Sequence, residues 1–142
     1  MKPTLTLLLA TLLLLAPAAA ADSNQWTRFR GPDGSGIIPN TTIPATFTES
    51  DYNWSLPLDG IGHSSPVCWD SNLFITIVPH DKPNTRELRC LSIADGSTLW
   101  THEQEFEDYH HHKFNNPAST TPAVDADHIY LYAASADKVL LQ

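Results

Sequence analysis

Positive charge is scarce in this chain. Eight Lys and Arg stand against sixteen Asp and Glu in 142 residues, which gives a formal net charge of −8. Nucleic acids are polyanions that select basic protein faces, so the composition argues against DNA or RNA as a partner. The same acidity disfavours an anionic membrane surface. The expected partner is an unidentified protein or small-molecule ligand.

Long apolar runs are also scarce, and the one that exists lies at the amino terminus. Lys2 precedes an apolar stretch from Leu5 to Ala16, Pro17 ends it, and alanines occupy positions 18–21. A run of about a dozen residues is too short to span a bilayer and is typical of a cleavable signal peptide. We therefore predict a signal peptide over 1–21 and an exported protein, periplasmic or extracellular, with no membrane attachment after cleavage; a retained anchor is the alternative.

Cysteine occurs twice, at Cys68 and Cys90. Because none precedes Cys68, the signal does not end in a lipid-modified cysteine. An exported protein enters a compartment that permits disulfides, but both cysteines stand in apolar, strand-like stretches, where free cysteine behaves as a small hydrophobe. A bond requires Cα atoms within about 7 Å. Both alternatives stay open.

Helical patterns are missing after the signal. Residues 22–51 form a Gly/Pro-rich lead-in whose cluster at 31–36 no helix tolerates. From position 52 onward, short β-type runs alternate with turn signals, which predicts an all-β fold. The predicted strands are Tyr52–Leu56, Ser65–Trp69, Leu73–Val78, Glu87–Ile93, Thr98–Glu103, Thr121–Asp125 and His128–Ala133.

An internal repeat predicts the architecture. The segment 64–76 aligns without gaps with 120–132, and both copies read two hydroxyl residues, Pro, small apolar residues, an acidic turn and an alternating apolar strand. Such a period, with several strands per unit, is typical of β-propellers, whose blades pack face to face. We predict that 52–142 begins a propeller of four-stranded blades, the first over about 63–104 and the second, truncated, over 118–142.

The chain accounts for about one and a half blades, whereas a propeller closes with typically four to eight. We therefore expect an amino-terminal fragment of a longer protein. Assembly from several copies is the alternative, because a lone sheet leaves its edges unpaired.

The end of the first unit, 88–100, has a strand, an Asp-Gly turn suited to the positive φ of a tight hairpin, and a strand bearing a Trp. It resembles the tryptophan-docking motif of PQQ-like (pyrroloquinoline quinone-type) repeats, A-x-D-x-x-T-G-x-x-x-W. Gly96 and Trp100 match its Gly and Trp, while Cys90, Ser92 and Asp95 stand where the family usually has Ala, Asp and Thr.

In that family the Trp packs against the neighbouring blade, so the resemblance implies a structural role for Trp100, with Gly96 as the turn. It also implies that Trp54 ends a strand that joins the last blade and closes the ring. Pro66 and Pro122 are expected at strand entries. The segment 26–36, followed by Trp54 and 60–66, resembles the amino-terminal signature of exported PQQ-like propeller proteins from bacteria such as planctomycetes.

Two clusters suggest chemistry but have simpler interpretations. His110, His111 and His112 invite a metal, yet a zinc site needs about four ligands at defined spacing, so we interpret the segment as a polar loop between blades. Ser64 and Ser65, beside a histidine at 63, lack the G-x-S-x-G elbow of hydrolases. We expect the hydroxyls at 64, 65, 120 and 121 to bond backbone groups at strand starts.

Arg28 and Arg30 flank Phe29 beside the Gly-rich turn. They could grip a carboxylate or phosphate, but we favour an anchor that ties the lead-in to the propeller rim.

The resemblance covers quinone-dependent dehydrogenases, outer-membrane assembly scaffolds and proteins of other roles, so fold alone does not fix function. The alcohol dehydrogenases among them use adjacent cysteines and a Ca²⁺ site, and neither is matched here. We predict a non-enzymatic scaffold that binds a protein or ligand, with no catalytic, cofactor-binding or metal residue in this segment. The alternatives are the amino-terminal part of a PQQ-dependent oxidoreductase and an outer-membrane-assembly-type scaffold.

Overall fold

The computed structural model describes residues 25–38, 44–107, 109–134 and 138–142. The predicted signal peptide over 1–21 lies outside the described residues. Within these ranges the chain forms β-strands and a short 3-10 turn, Glu49–Asp51. The predicted all-β class is confirmed. No helix in the described ranges is long and apolar enough to cross a membrane.

The first sheet is an antiparallel meander with one added strand. Strand β1 is Gly60–Ile61, and it pairs with the far end of β3. The meander itself runs in chain order, with each strand bonded to the next. Its members are β2 (Val67–Trp69), β3 (Asn72–Pro79), β4 (Thr85–Ser92) and β5 (Thr98–Glu105).

The second copy of the repeat forms the smaller strands β6 (Ala123–Val124), β7 (Ile129–Tyr130), β8 (Tyr132–Ala134) and β9 (Val139–Leu141). Strand β6 pairs with β7, and β8 pairs with β9. Leu131, between β7 and β8, exchanges two backbone hydrogen bonds with Gln142, at 3.0 and 3.1 Å. The second copy therefore consists of two antiparallel strand pairs, β6–β7 and β8–β9, which follow each other through Leu131 and are together called the second sheet below.

Alternating side chains give the first sheet two different faces, because successive residues of a strand point to opposite sides. Phe74 lies opposite Cys90, and Thr76 lies opposite Leu88. These residues face the second sheet. The resulting apolar cluster joins both repeats, and its buried members are Val67, Phe74, Leu88, Cys90, Val124 and Leu131.

The two cysteines lie on opposite faces of the first sheet. Cys68 on β2 pairs with Leu73, whereas Cys90 on β4 pairs with Phe74, the next residue of β3. Strand β3 also lies between β2 and β4, and both thiols are free. The disulfide alternative is therefore wrong for this fold. Burial raises the pKa of both thiols, which keeps them protonated at neutral pH.

The predicted strands differ in their bounds from those found, and three differ in more than their ends or are much shorter. The segment Tyr52–Leu56 contains no strand; it follows the 3-10 turn as unpaired chain, and Pro57 lacks the N–H that a ladder needs. The predicted strand at Thr121–Asp125 shortens to Ala123–Val124, because Asp125 turns back to accept hydrogen bonds from the backbone N–H groups of residues 127 and 128. The strand at His128–Ala133 is interrupted at Leu131.

Removal of a core side chain should test the contact between the sheets. Leu88→Ala should lower the free energy of unfolding by about 2–5 kcal/mol, because a buried leucine is lost from the shared cluster. Leu99→Ala, on the neighbouring strand and 52% exposed, is the matched control and should change it by less than about 0.5 kcal/mol. Urea unfolding followed by circular dichroism measures both. Equal effects would mean that the two sheets do not share this core.

Candidate functional site

Trp54 is docked onto the β4–β5 turn. A Cβ atom placed on Gly96 would lie 2.5 Å from Cε3 of the Trp54 indole, so the ring packs directly on the glycine backbone. The indole Nε1–H donates a hydrogen bond of 2.7 Å to the carbonyl of Ile93 in the same turn. Trp54 therefore packs as a plate on Gly96, a partner that the sequence did not predict, and it does so from unpaired chain and not from the predicted strand.

The β4–β5 turn is longer than the tight hairpin predicted at Asp95-Gly96. Only Gly96 of the pair has positive φ, at 73°, and five residues separate the two strands. Asp95 instead caps the turn, because its Oδ1 accepts hydrogen bonds from the Ser97 amide (3.1 Å) and hydroxyl (2.8 Å). The Ser97 hydroxyl and amide lower the pKa of Asp95 by stabilising its carboxylate.

Trp100 lies on β5 next to a bulge. The register passes from Cys90–Trp100 to Leu91–Thr98, which leaves Leu99 as the extra residue. The Trp100 ring packs against Phe74 with centroids 6.0 Å apart, yet 42% of the residue is exposed. No glycine of the described residues packs under this ring as Gly96 does under Trp54.

The recurring hydroxyl residues bond backbone groups, as predicted for Ser64 and Thr121. The Ser64 hydroxyl donates to the Thr76 carbonyl and accepts from the Thr76 amide, both at 3.1 Å. Thr121 Oγ1 accepts from the amide of Ser65, its equivalent in the first copy, at 2.9 Å. Pro66 and Pro122 directly precede β2 and β6, as expected.

Thr76 had no assigned role in the sequence, yet it ties the two repeats together. Its side chain is fully buried and donates to the carbonyl of Thr120 at 3.0 Å, with that of Ala118 at 3.4 Å. The sequence did carry a signal for this role: a threonine stands at a core position of an apolar strand, and a buried hydroxyl needs a hydrogen-bond partner.

The lead-in is attached to β2 through the backbone of Trp26, whereas Arg28 bonds within its own turn. Trp26 forms a two-way backbone bridge with Cys68, at 3.0 and 2.8 Å, and its ring lies over Gly31. Arg28 donates to the carbonyls of Gly31 and Pro32, so it closes its own turn. The predicted arginine anchor to the propeller rim is wrong for Arg28.

The histidine run lies in the loop between the two sheets. His111 Nδ1 lies 3.0 Å from the Tyr109 carbonyl, and His112 Nδ1 accepts from the Phe114 amide at 3.3 Å. Within the described ranges, no three His, Cys, Asp or Glu side chains stand close enough to hold a metal ion.

Two open cavities lie between the sheets along β5. The larger, about 430 Å³, is lined by Trp100, Leu88, His102, Ile129 and Leu131 together with neighbouring residues. The smaller, about 350 Å³, lies further along the same strand between Arg86, Glu105, Phe106, Glu107 and Lys138 and the alanines of β8. The first is mainly apolar, whereas the second carries charges of both signs.

Arg86 borders the smaller cavity and was not singled out by the sequence, which predicted that β4 begins at Glu87. It is 2% exposed. Its Nε–H donates to the Pro117 carbonyl at 2.5 Å, and Nη1 donates to Gln104 Oε1 at 2.7 Å. The guanidinium also lies over the Phe106 ring, 5.4 Å from the centroid. These contacts fix its position between β5 and the loop before β6.

No family model matches the chain, and no match is found among curated proteins or solved structures.

A glycine pair separates ring docking from backbone strain. Gly34 and Gly96 have nearly the same φ, 75° and 73°, but a Cβ on Gly34 would meet nothing within 4 Å. Gly34→Ala should destabilise by about 1–2 kcal/mol from the left-handed backbone alone. Gly96→Ala should cost a further ~1–3 kcal/mol, because the methyl group displaces the Trp54 ring. Urea unfolding of both variants checks this, and equal losses would contradict the docking.

Acid should weaken the Asp95 cap. Because hydrogen bonds hold the folded pKa of Asp95 below its ordinary value of 3.8, its contribution to stability is present above about pH 4 and lost as the pH falls through the folded pKa. Asp95→Asn should therefore destabilise the protein at pH 6 and converge with the wild type near about pH 2. Urea unfolding across this range measures the difference.

Asp70→Asn is the matched control, because Asp70 lies in the β2–β3 turn and accepts no side-chain hydrogen bond from the described residues. Asp70→Asn should cost less stability at pH 6 than Asp95→Asn does, because it removes no cap. An Asp95→Asn protein that is as stable as the Asp70→Asn protein at pH 6 would show that Asp95 does not cap the turn.

Proposed function

We propose that this chain begins an exported β-propeller of the PQQ-like repeat kind, which serves as a non-enzymatic scaffold for a protein or ligand. Propellers are built from antiparallel meanders that pack face to face around an axis. The first repeat folds as such a meander, the second as two antiparallel strand pairs, and a single apolar cluster joins the two repeats. This packing of consecutive repeats is the observation that carries the proposal.

The contacts between equivalent positions support the same arrangement. The Ser65 amide donates to Thr121 Oγ1, although the two residues are 56 positions apart, which is the repeat offset. Radial repetition places equivalent residues of neighbouring blades side by side. The packing of Trp54 on Gly96 is also compatible with the resemblance, in which a Trp packs against the neighbouring blade. Trp54 would then belong to the blade that closes the ring.

A closed ring of four to eight blades needs sheets beyond these two. They would come from further repeats of the same protein or from other copies. Trp100 is 42% exposed beside the larger cavity, and we infer that its exposed face would contact one of these further strands.

The scaffold interpretation also rests on the hydrogen bonds that the Ser64 hydroxyl forms with the backbone. Ser64, next to His63, both donates to and accepts from the Thr76 backbone. A hydroxyl that bonds both backbone groups of Thr76 serves the structure, which favours the scaffold interpretation for Ser64. Fold resemblance by itself assigns no activity.

Expression of the full chain with its leader tests export and turnover together. The mature protein should be recovered from the extracytoplasmic fraction with Asp22 as its first residue. With added PQQ and Ca²⁺, it should reduce no redox dye in the presence of alcohols or sugars. A cytoplasmic, uncleaved product would contradict export. Dye reduction that saturates with PQQ would instead establish the quinone-dependent oxidoreductase.

A further inference from the structure

Arg86 is a buried cation with no carboxylate partner among the described residues. Among the described residues, the ion pairs within 4 Å involve Lys82, Arg89 and His128 but not Arg86. Its two hydrogen bonds go to the neutral acceptors Pro117 O and Gln104 Oε1. Burial in this setting lowers the pKa of Arg86, because the charged form is poorly solvated.

Part of the guanidinium faces open space. Five N–H donors are present in an arginine side chain, and Nη2 donates to no described residue. Every sealed side-chain nitrogen and oxygen of the described residues has a partner, so Nη2 is not sealed. Arg86 lines the smaller cavity of about 350 Å³, which is open space next to this side chain.

The orientation of Arg86 follows from the register of β4. Arg86, Leu88 and Cys90 alternate with Glu87, Arg89 and Leu91, so Arg86 points toward the second sheet and the cavity. Arg89 points the opposite way and binds Glu87 Oε2 at 2.7 Å. The two arginines of β4 therefore differ in their surroundings. Arg89 has a carboxylate partner, whereas Arg86 borders a cavity.

We propose that the cavity bordered by Arg86 is a binding site for a single carboxylate group, held by the free edge of the Arg86 guanidinium. A planar fork of N–H donors matches the two oxygens of a carboxylate. The pair would offset the cost of burying the cation. The proposal concerns this cavity alone and does not depend on closure of a propeller ring.

The other cavity residues narrow the ligand class. Lys138 adds a second cation, but Glu105 and Glu107 line the same cavity. Two carboxylates at the border repel an anion of high charge, such as a phosphate dianion, more strongly than a singly charged group. Phe106 and the alanines of β8 offer apolar contact to the rest of the ligand. The carboxylate belongs either to a small free acid or to an acidic side chain of a peptide.

Titration of the isotope-labelled full chain tests the site. The Arg86 Nε–H signal is suited to detection, because this group is buried and bonded to Pro117 O. Acetate is added against chloride at constant ionic strength, and a blocked peptide with a single glutamate is added in a parallel series. A saturable shift with a Kd in roughly the millimolar range is expected for one carboxylate on one guanidinium. Saturation by acetate identifies a free acid as the source, and saturation by the peptide alone identifies a protein segment.

Arg86→Gln should weaken carboxylate binding at least about tenfold, and Arg86→Lys should weaken it in part, because lysine keeps the charge but loses the fork. Binding by the variants is followed through the backbone amides of Gln104 and Phe106. Arg89→Gln is the matched control and should leave binding unchanged. Backbone amide spectra show which variants keep the fold. The proposal is overturned if neither probe saturates, if phosphate binds more tightly than acetate, or if the folded Arg86→Lys protein and the Arg89→Gln protein bind as the wild type does.

Discussion

The apolar contact between the two sheets is the constraint on which the other features depend. A small antiparallel sheet is only marginally stable by itself, and one hydrophobic face must be covered. Phe74, Leu88 and Cys90 on one side meet Val124 and Leu131 on the other. This contact brings the equivalent positions Ser65 and Thr121 within hydrogen-bond distance and leaves both cavities between the sheets. The same packing holds the loop before β6 against β3 through Thr76.

The sequence predicted the parts of the fold that a local pattern determines. Strands β3 and β4 follow from alternation, and Gly96 follows from a turn that needs positive φ. Trp54 shows where the pattern is insufficient: it was expected to end a strand, but it lies in unpaired chain and packs on Gly96. A strand requires a neighbour that supplies a ladder, and that neighbour is a tertiary feature. An indole needs only a flat backbone surface and an acceptor, which the turn provides through Ile93.

The faces on which Cys68, Cys90 and Arg86 lie could be predicted only with the register of the strands, and not from the strand assignments alone. A shift of one residue moves a side chain to the other face, so two cysteines on neighbouring apolar runs appeared equally able to meet or to remain apart. Arg86 was missed for a related reason. With β4 beginning at Thr85, Arg86 has the same parity as Leu88 and Cys90, and that parity places a guanidinium among core positions.

Charge on β4 is arranged differently on its two faces. Glu87 is 5% exposed and has Arg89 and Lys82 as partners, so its burial has a sufficient explanation in the folded chain. Arg86 is buried to a similar degree, and its acceptors among the described residues are neutral. A long apolar side chain such as methionine would keep the packing against Phe106 without the cost of desolvating a cation. The hydrogen bonds to Pro117 and Gln104 position the guanidinium but use only part of its donors. The remaining donors and the full charge are then explained by something that occupies the cavity, and a carboxylate is the group whose geometry and charge complement them.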